Sequence, residues 1–155
     1  MVEIVIFGRT VDQKETKRKV EHFLKVDYLV AKRKSKLNMA DISSQQIDGM
    51  PKSSFNGNAI ENKLVNHIFY KQVVKAVKLT FEECSEETNV ILKGLCFQDK
   101  TDVACYTALH CSESQYYKEV KPHAYLEFAE IYPIEDLLAF EDETNTETVE
   151  NSYRI

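Results

Sequence analysis

The sequence predicts an all-α protein, and three observations carry that expectation. Apolar residues recur at three- and four-residue spacing along much of the chain, as the buried face of an amphipathic helix requires. Only four glycines and three prolines are spread over 155 residues, which leaves few turns for an all-β sandwich. Serines stand at the head of two apolar runs, Ser85 and Ser112, where a hydroxyl can accept from a free N–H of the first helical turn. The length suits one ordinary domain, or two small ones sharing a surface. With 43% apolar residues, a chain of this size can hide roughly 68–70% of its unfolded surface, so disorder throughout is excluded.

The elements follow in order. Val2 to Phe7 fits either a short extended segment or an apolar lead-in. Val20, Phe23, Leu24, Tyr28 and Ala31 keep helical spacing and predict a helix over 13–39, although Asp27 falls inside the stripe. From Ile42 to Asn58 serines, asparagines, glycines and Pro51 dissolve the pattern into a loop. Ile60, Leu64, Ile68 or Phe69, Val73, Val77 and Phe81 predict a second long helix over 59–82. Ser85 caps a third, with Glu86 and Glu87 in the first turn, where the helix dipole favours anions. A short helix over 102–108, a turn at Leu109, His110 and Cys111, and a further helix starting at Ser112 complete the series.

Charge is segregated along the chain. Lys14 to Lys36 holds nine basic and three acidic residues, whereas Glu135 to the end holds seven acids and only Arg154. The expected organisation is a basic helical N-terminal region (1–47), a linker (48–58), a helical domain (59–134) and an acidic tail (135–155). Residues 141–151 carry five acids and a single large aliphatic side chain, Val149. They cannot bury enough apolar surface to offset ordering entropy, so mobility is expected there. The basic segment serves either as a solvated helix face or as an electrostatic footprint for phosphates, which Lys17, Arg18, Lys32 and Arg33 would contact.

The junction at Ser112 is the most informative. Ser112 and Gln115 form S-x-x-Q, a capping box in which the hydroxyl accepts from the Gln115 N–H and the glutamine reaches back. Tyr116, Val120, Ala124 and Phe128 then lie four apart and would face the preceding helix at Cys105, Leu109 and Cys111. The outward face holds Glu113, Ser114, Tyr117, Lys118 and Lys121. Two short helices, a tight turn and a polar, capped second helix match the helix-turn-helix that places a recognition helix in the DNA major groove. Ser112, Ser114, Gln115, Tyr117, Lys118 and Lys121 are therefore the candidate readout residues. Three features depart from the usual pattern. His110 stands where glycine is preferred, Tyr106 stands where a small side chain normally lets the helices approach, and Pro122 interrupts the second helix. The helix must kink at the proline, or stop near Val120 and restart through Ile131.

The string Asp48-Gly-Met-Pro-Lys-Ser53, the pairs Gly57-Asn58 and Glu61-x-Lys63, Ser112-Glu-Ser-Gln-Tyr-Tyr-Lys118 and Leu126-Glu-Phe-Ala-Glu130 resemble the ArpU family of phage-encoded transcriptional regulators. The resemblance runs from about Lys14 to Glu135. It implies a Gram-positive phage or prophage protein that controls late genes for packaging and lysis. It also implies a C-terminal domain similar to the promoter-reading domain of sigma factors.

Other classes find little support in the residues. There is no G-x-G-x-x-G, P-loop, H-E-x-x-H or G-x-S-x-G motif, and no enzymatic activity is expected. His22, His67, His110 and His123 lie apart, and Cys84, Cys96, Cys105 and Cys111 lack metal-ligand spacing. The cysteines are expected to be reduced packing residues, with no metal and no cofactor. Apolar stretches such as Ile4 to Phe7 are far shorter than the roughly 20 residues of a membrane span, and no signal peptide pattern opens the chain, so a cytoplasmic location is expected. The expected partner is double-stranded DNA, with host RNA polymerase and a second copy of the chain as further candidates. The other class of function is a helical adaptor that docks on RNA polymerase or a sigma factor without strong DNA binding. It is kept in view because residues 99–132 hold three lysines against six acids.

Overall fold

A computed structural model of the chain describes residues 3–37 and 55–141, the first six of the second stretch by backbone alone. Its first residues form a small antiparallel hairpin, β1 (Val5–Ile6) with β2 (Arg9–Thr10), in the register Val5 with Thr10 and Ile6 with Arg9. Phe7 and Gly8 close it at φ of 50° and 75°. Two positive φ values are what a two-residue loop of the primed type requires.

Asp12 caps α1 (Gln13–His22), accepting from the Glu15 N–H at 3.0 Å. The helix then widens through a π turn, Phe23–Asp27, in which the Tyr28 N–H reaches back to the Phe23 carbonyl, and continues as α2 (Tyr28–Ser35). That extra residue resolves the misplaced acid in the apolar stripe. Phe23 and Leu24 are buried, Asp27 turns out to solvent, and Tyr28 moves toward the core. The helix ends at Ser35, short of the expected 39, and Met39 lies outside the described residues.

α3 (Phe55–Glu83) is one helix of 29 residues, about 43 Å long. It starts four positions before the expected 59, so Phe55 to Asn58 are helical rather than linker. The remainder of the loop expected over 42–58, with the Asp48 to Ser53 string, lies outside the described residues. α4 (Glu86–Phe97) is capped by Ser85, and α5 (Asp102–Ala108) by Thr101, whose hydroxyl accepts from the Ala104 N–H at 3.2 Å. α6 (Glu113–Gln115), a second π turn (Tyr116–Val120) and α7 (Lys121–Ile131) form one continuous helical path.

Phe128 stands at the centre of the core. Its ring lies 6.4 Å from Phe23 of the first π turn, 5.1 Å from Phe81 of α3 and 5.8 Å from Tyr132, stacked on the last. Val20, Leu24, Val77, Ile91, Leu92, Tyr116 and Ala124 fill the space around it, each almost fully buried. One apolar interior therefore runs through the N-terminal helix and the helices of 59–134.

The segment after α7 is packed as well: Leu137 joins this interior, and Phe140 forms a second small cluster with Val11 and Leu126. Leu137, Ala139 and Phe140 are buried. The Asp12 N–H donates to the Ala139 carbonyl at 2.8 Å, the Ala139 N–H donates to the Thr16 hydroxyl at 3.0 Å, and Val11 pairs with Phe140. The Arg9 guanidinium covers the Phe140 ring at 4.1 Å. The expected tail boundary at 135 is thus too early, because apolar residues 137–140 strap across the start of α1. Of residues 141–151, for which mobility is expected, all but Glu141 lie outside the described residues. Cys84, Cys96 and Cys105 are buried and Cys111 is half-buried, all as free thiols. Burial pushes the Cys84 thiol up to about 12 and the Cys96 thiol to about 11, which keeps both protonated and unreactive at neutral pH.

Candidate nucleic-acid interface

The turn between α5 and α6 is built by backbone geometry that suits few residues. His110 adopts φ of 56°. Its N–H donates to the Thr107 carbonyl at 3.2 Å, and the Cys111 N–H donates to the Tyr106 carbonyl, also at 3.2 Å. This pair of bonds is a Schellman closure with His110 in the left-handed position usually taken by glycine. The preceding turn has the same character, with Asp99 at φ of 49° and the Lys100 N–H bound to the Gly94 carbonyl at 2.9 Å.

Ser112 starts the next helix, its hydroxyl accepting from the Gln115 N–H at 3.1 Å, which is the serine half of the expected capping box; the Gln115 side chain does not return a bond to the Ser112 N–H. Of the expected inward stripe, Tyr116, Ala124 and Phe128 are fully buried and Val120, within the π turn, is half-buried. Glu113, Ser114, Gln115 and Lys118 are exposed, and Tyr117 is half-exposed with its ring set edge-on to Tyr116 at 5.1 Å.

Pro122 does not end the helical path. The Lys121 N–H reaches back five residues to the Tyr116 carbonyl, and Val120 and Lys121 both keep right-handed helical dihedrals. The wider turn accepts a ring that would clash in a regular helix interior, and Pro122 stands in the first turn of α7, where it has no donor to lose. Tyr106 also proves compatible with close packing, since its ring meets Tyr116 edge-on at 5.5 Å. Close approach is instead made possible by Gly94, where a Cβ would sit 3.2 Å from the Cys105 Sγ and 3.4 Å from the Lys100 Cδ. The small residue thus lies between α4 and α5, one junction earlier than sequence reasoning placed it.

Lys121 is the site residue whose role changes. Its Nζ lies 2.8 Å from the Asp102 Oδ1, with the lysine side chain only 14% exposed. The Tyr116 hydroxyl donates to the same oxygen at 2.8 Å. Partial burial pushes the Asp102 carboxyl up, but the bonds from Lys121 and Tyr116 and the lysine charge outweigh it and hold the group below its ordinary value. Burial, with Asp102 adding to it, raises Tyr116. Lys121 is therefore a brace between α5 and the second helix, and it is withdrawn from the readout face. Asp102 escaped sequence reasoning because its two partners lie 14 and 19 positions away, beyond any helical repeat.

The four phosphate candidates separate into two places. Lys17 sits over the Tyr125 ring of α7 at 5.7 Å, beside which the Tyr125 hydroxyl donates to Glu21 at 2.9 Å. Arg18 is engaged with both carboxylate oxygens of Glu15. Lys32 and Arg33 lie beyond the π turn, about 22 Å further along the helical path. The Arg33 Nε donates to the Leu29 carbonyl at 3.3 Å. Lys32 borders a shallow groove with Tyr28, Leu29, Cys96, Phe97 and Asp99. The first pair thus stands against the second helix through Lys17, and the other pair stands beside the end of α4.

The class the fold defines is an all-α protein with one small hairpin. No helix among the described residues is long and apolar enough to cross a membrane. Comparison with protein-family models, with curated proteins and with solved structures finds no match.

Proposed function

We propose that the chain is a DNA-binding transcriptional regulator of the phage late-gene type that the resemblance to the ArpU family implies. In this reading the helix that starts at Ser112 enters the major groove. The carrying observation is the capped N-terminal half of that helix. It offers Ser114, Gln115, Tyr117 and Lys118 to solvent in a row, while Asp102, Tyr116 and Lys121 fix its angle to α5. Serine and glutamine can exchange hydrogen bonds with base edges, and a lysine can meet guanine or a phosphate. Lys17 adds a cation beside the same helical path.

One observation favours the adaptor reading. With Lys121 committed to Asp102, few cations remain near the readout face, and Val103 and Tyr117 leave apolar surface exposed beside them. Such a surface suits a protein partner such as host RNA polymerase. Gel shifts on the region upstream of late genes, with and without polymerase, separate the readings. A shift by the chain alone that survives competitor DNA supports groove readout. A shift seen only with polymerase supports the adaptor.

A further inference from the structure

The hairpin at the start of the chain carries apolar side chains on both faces, and the fold uses one of them. Ile4 and Ile6 turn inward and pack on Val11, Leu126 and Phe140. Val5 and Phe7, on the other side of the strand, are 57% and 100% exposed. Phe7 also holds φ of 50°. A bulky residue in the left-handed region is a true outlier, and asparagine or glycine would close the same turn at lower cost. Folding gains little from a fully exposed ring, so a strained position of this kind points to a contact beyond the fold.

The hairpin's place on the helices identifies what its tip would meet. Ser114, Lys118, Pro122 and Leu126 are four apart and share one side of the helical path that starts at Ser112. Ser114 and Lys118 are exposed, whereas Leu126 is buried in the cluster that the hairpin covers. The hairpin therefore stands on the same side as the readout row, two turns or about 12 Å beyond Lys118. The major groove is itself about 12 Å wide. A duplex with this row in its groove thus brings its next phosphate ridge, and the minor groove behind it, to the hairpin. Two cations flank that spot. Lys14 and Lys17 are exposed three apart on α1, and Lys17 sits over Tyr125, the neighbour of Leu126.

We infer that the hairpin is a second DNA contact beside the groove occupied by the Ser112 helix. Phe7 enters the adjoining minor groove as an apolar wedge, and Lys14 and Lys17 neutralise phosphates at its edge. Wedges of this kind slip between base steps and partly unstack them. This contact rests on the groove reading proposed above.

The test uses the full chain on the duplex upstream of late genes, with anisotropy for affinity and 2-aminopurine placed at successive steps beside the footprint. With the wild type, 2-aminopurine brightens at one flanking step. Phe7→Asn suits the turn better, so its melting temperature is equal or higher. It nevertheless binds about five- to fiftyfold more weakly, loses the bright step and keeps the preference for operator over unrelated DNA. Phe7→Trp, which keeps an apolar ring, binds as the wild type does. The salt slope is unchanged by Phe7→Asn and flattened by Lys14→Gln with Lys17→Gln. A Phe7→Asn variant that binds with wild-type affinity and keeps the bright step overturns the wedge and leaves the groove reading intact. A chain that binds no DNA overturns both. If Phe7→Asn cancels only a polymerase-dependent shift, the tip is a protein contact and the wedge is overturned.

Discussion

The two surfaces that the sequence offers to nucleic acid differ in how much of their chemistry is already spent. On the basic first helix, Arg18 is held by Glu15, Arg33 reaches its own helix backbone and Lys17 lies over Tyr125. On the Ser112 helix the opposite holds. The charged residue nearest the core, Lys121, is consumed as a brace, while the small polar side chains Ser114 and Gln115 remain exposed. A count of lysines and arginines thus overstates the first surface, whereas the acidic sum over 99–132 is left unchanged by the Asp102–Lys121 pair, which removes one charge of each sign. Side chains that order their own helix are poorly placed to neutralise phosphate, since a new contact must first break the old one.

The comparison breaks most decisively at the readout row. Replacing Ser114, Gln115 and Lys118 together by alanine is expected to erase the preference for operator over unrelated DNA, at about 1–3 kcal/mol for each base edge no longer read. Circular dichroism and the melting temperature should stay put, because none of the three is buried. If the preference persists, sequence is read elsewhere.

Asp102→Asn tests the brace. It leaves Lys121 mostly buried without its counter-charge and weakens the acceptor for Tyr116, for an expected destabilisation of about 1–3 kcal/mol in urea unfolding at neutral pH. The pH dependence has a definite sign. The folded carboxyl titrates below its ordinary value, so its contribution is complete above the usual carboxylate range and is lost as pH falls through the folded value. The variant and the wild type should therefore converge in acid, and a gap that widens there would contradict the assignment.

Salt sharpens the other side. Neutralising Lys17 or Lys32 should flatten the slope of log K against log salt by about 0.9 for each phosphate that is no longer neutralised, with all DNA sequences weakened alike. Arg18→Gln should change the slope less, because Glu15 already shares its charge. Equal slopes for the Lys17 and Arg18 variants would show that the Glu15 pair opens freely on DNA. The smallest effect belongs to the turn. His110→Gly relieves a left-handed residue and should stabilise the fold by about 0.5–1 kcal/mol, read as a higher denaturant midpoint with an unchanged slope.

What could be read in advance was local. Ser85 and Ser112 cap their helices because a hydroxyl and an N–H three residues on are neighbours in any helical start, and the Tyr116, Ala124 and Phe128 face follows from spacing alone. Features that depend on distant partners were hidden. The hairpin went undecided because Phe7 occupies a loop position where asparagine or glycine would have announced a turn. Both π turns were visible only as faults, an acid in an apolar stripe and a proline in a helix, since a regular repeat has no place for an extra residue. In the candidate site, the exposed row was legible and the brace beneath it was not, because Asp102 and Lys121 meet through tertiary packing.

The strap formed by Ala139 and Phe140 also constrains when the protein can fold. Val11 and Asp12 find their partners in almost the last described residues, so a chain emerging from the ribosome can form its hairpin and first helix but cannot fasten them. Contacts between segments far apart in the sequence carry a larger loop-closure cost than local ones. Until position 140 is free, Thr16 lacks the backbone donor it holds in the finished fold. The clasp between Val11, Asp12 and residues 139–140 can therefore close only after the last helix has been made.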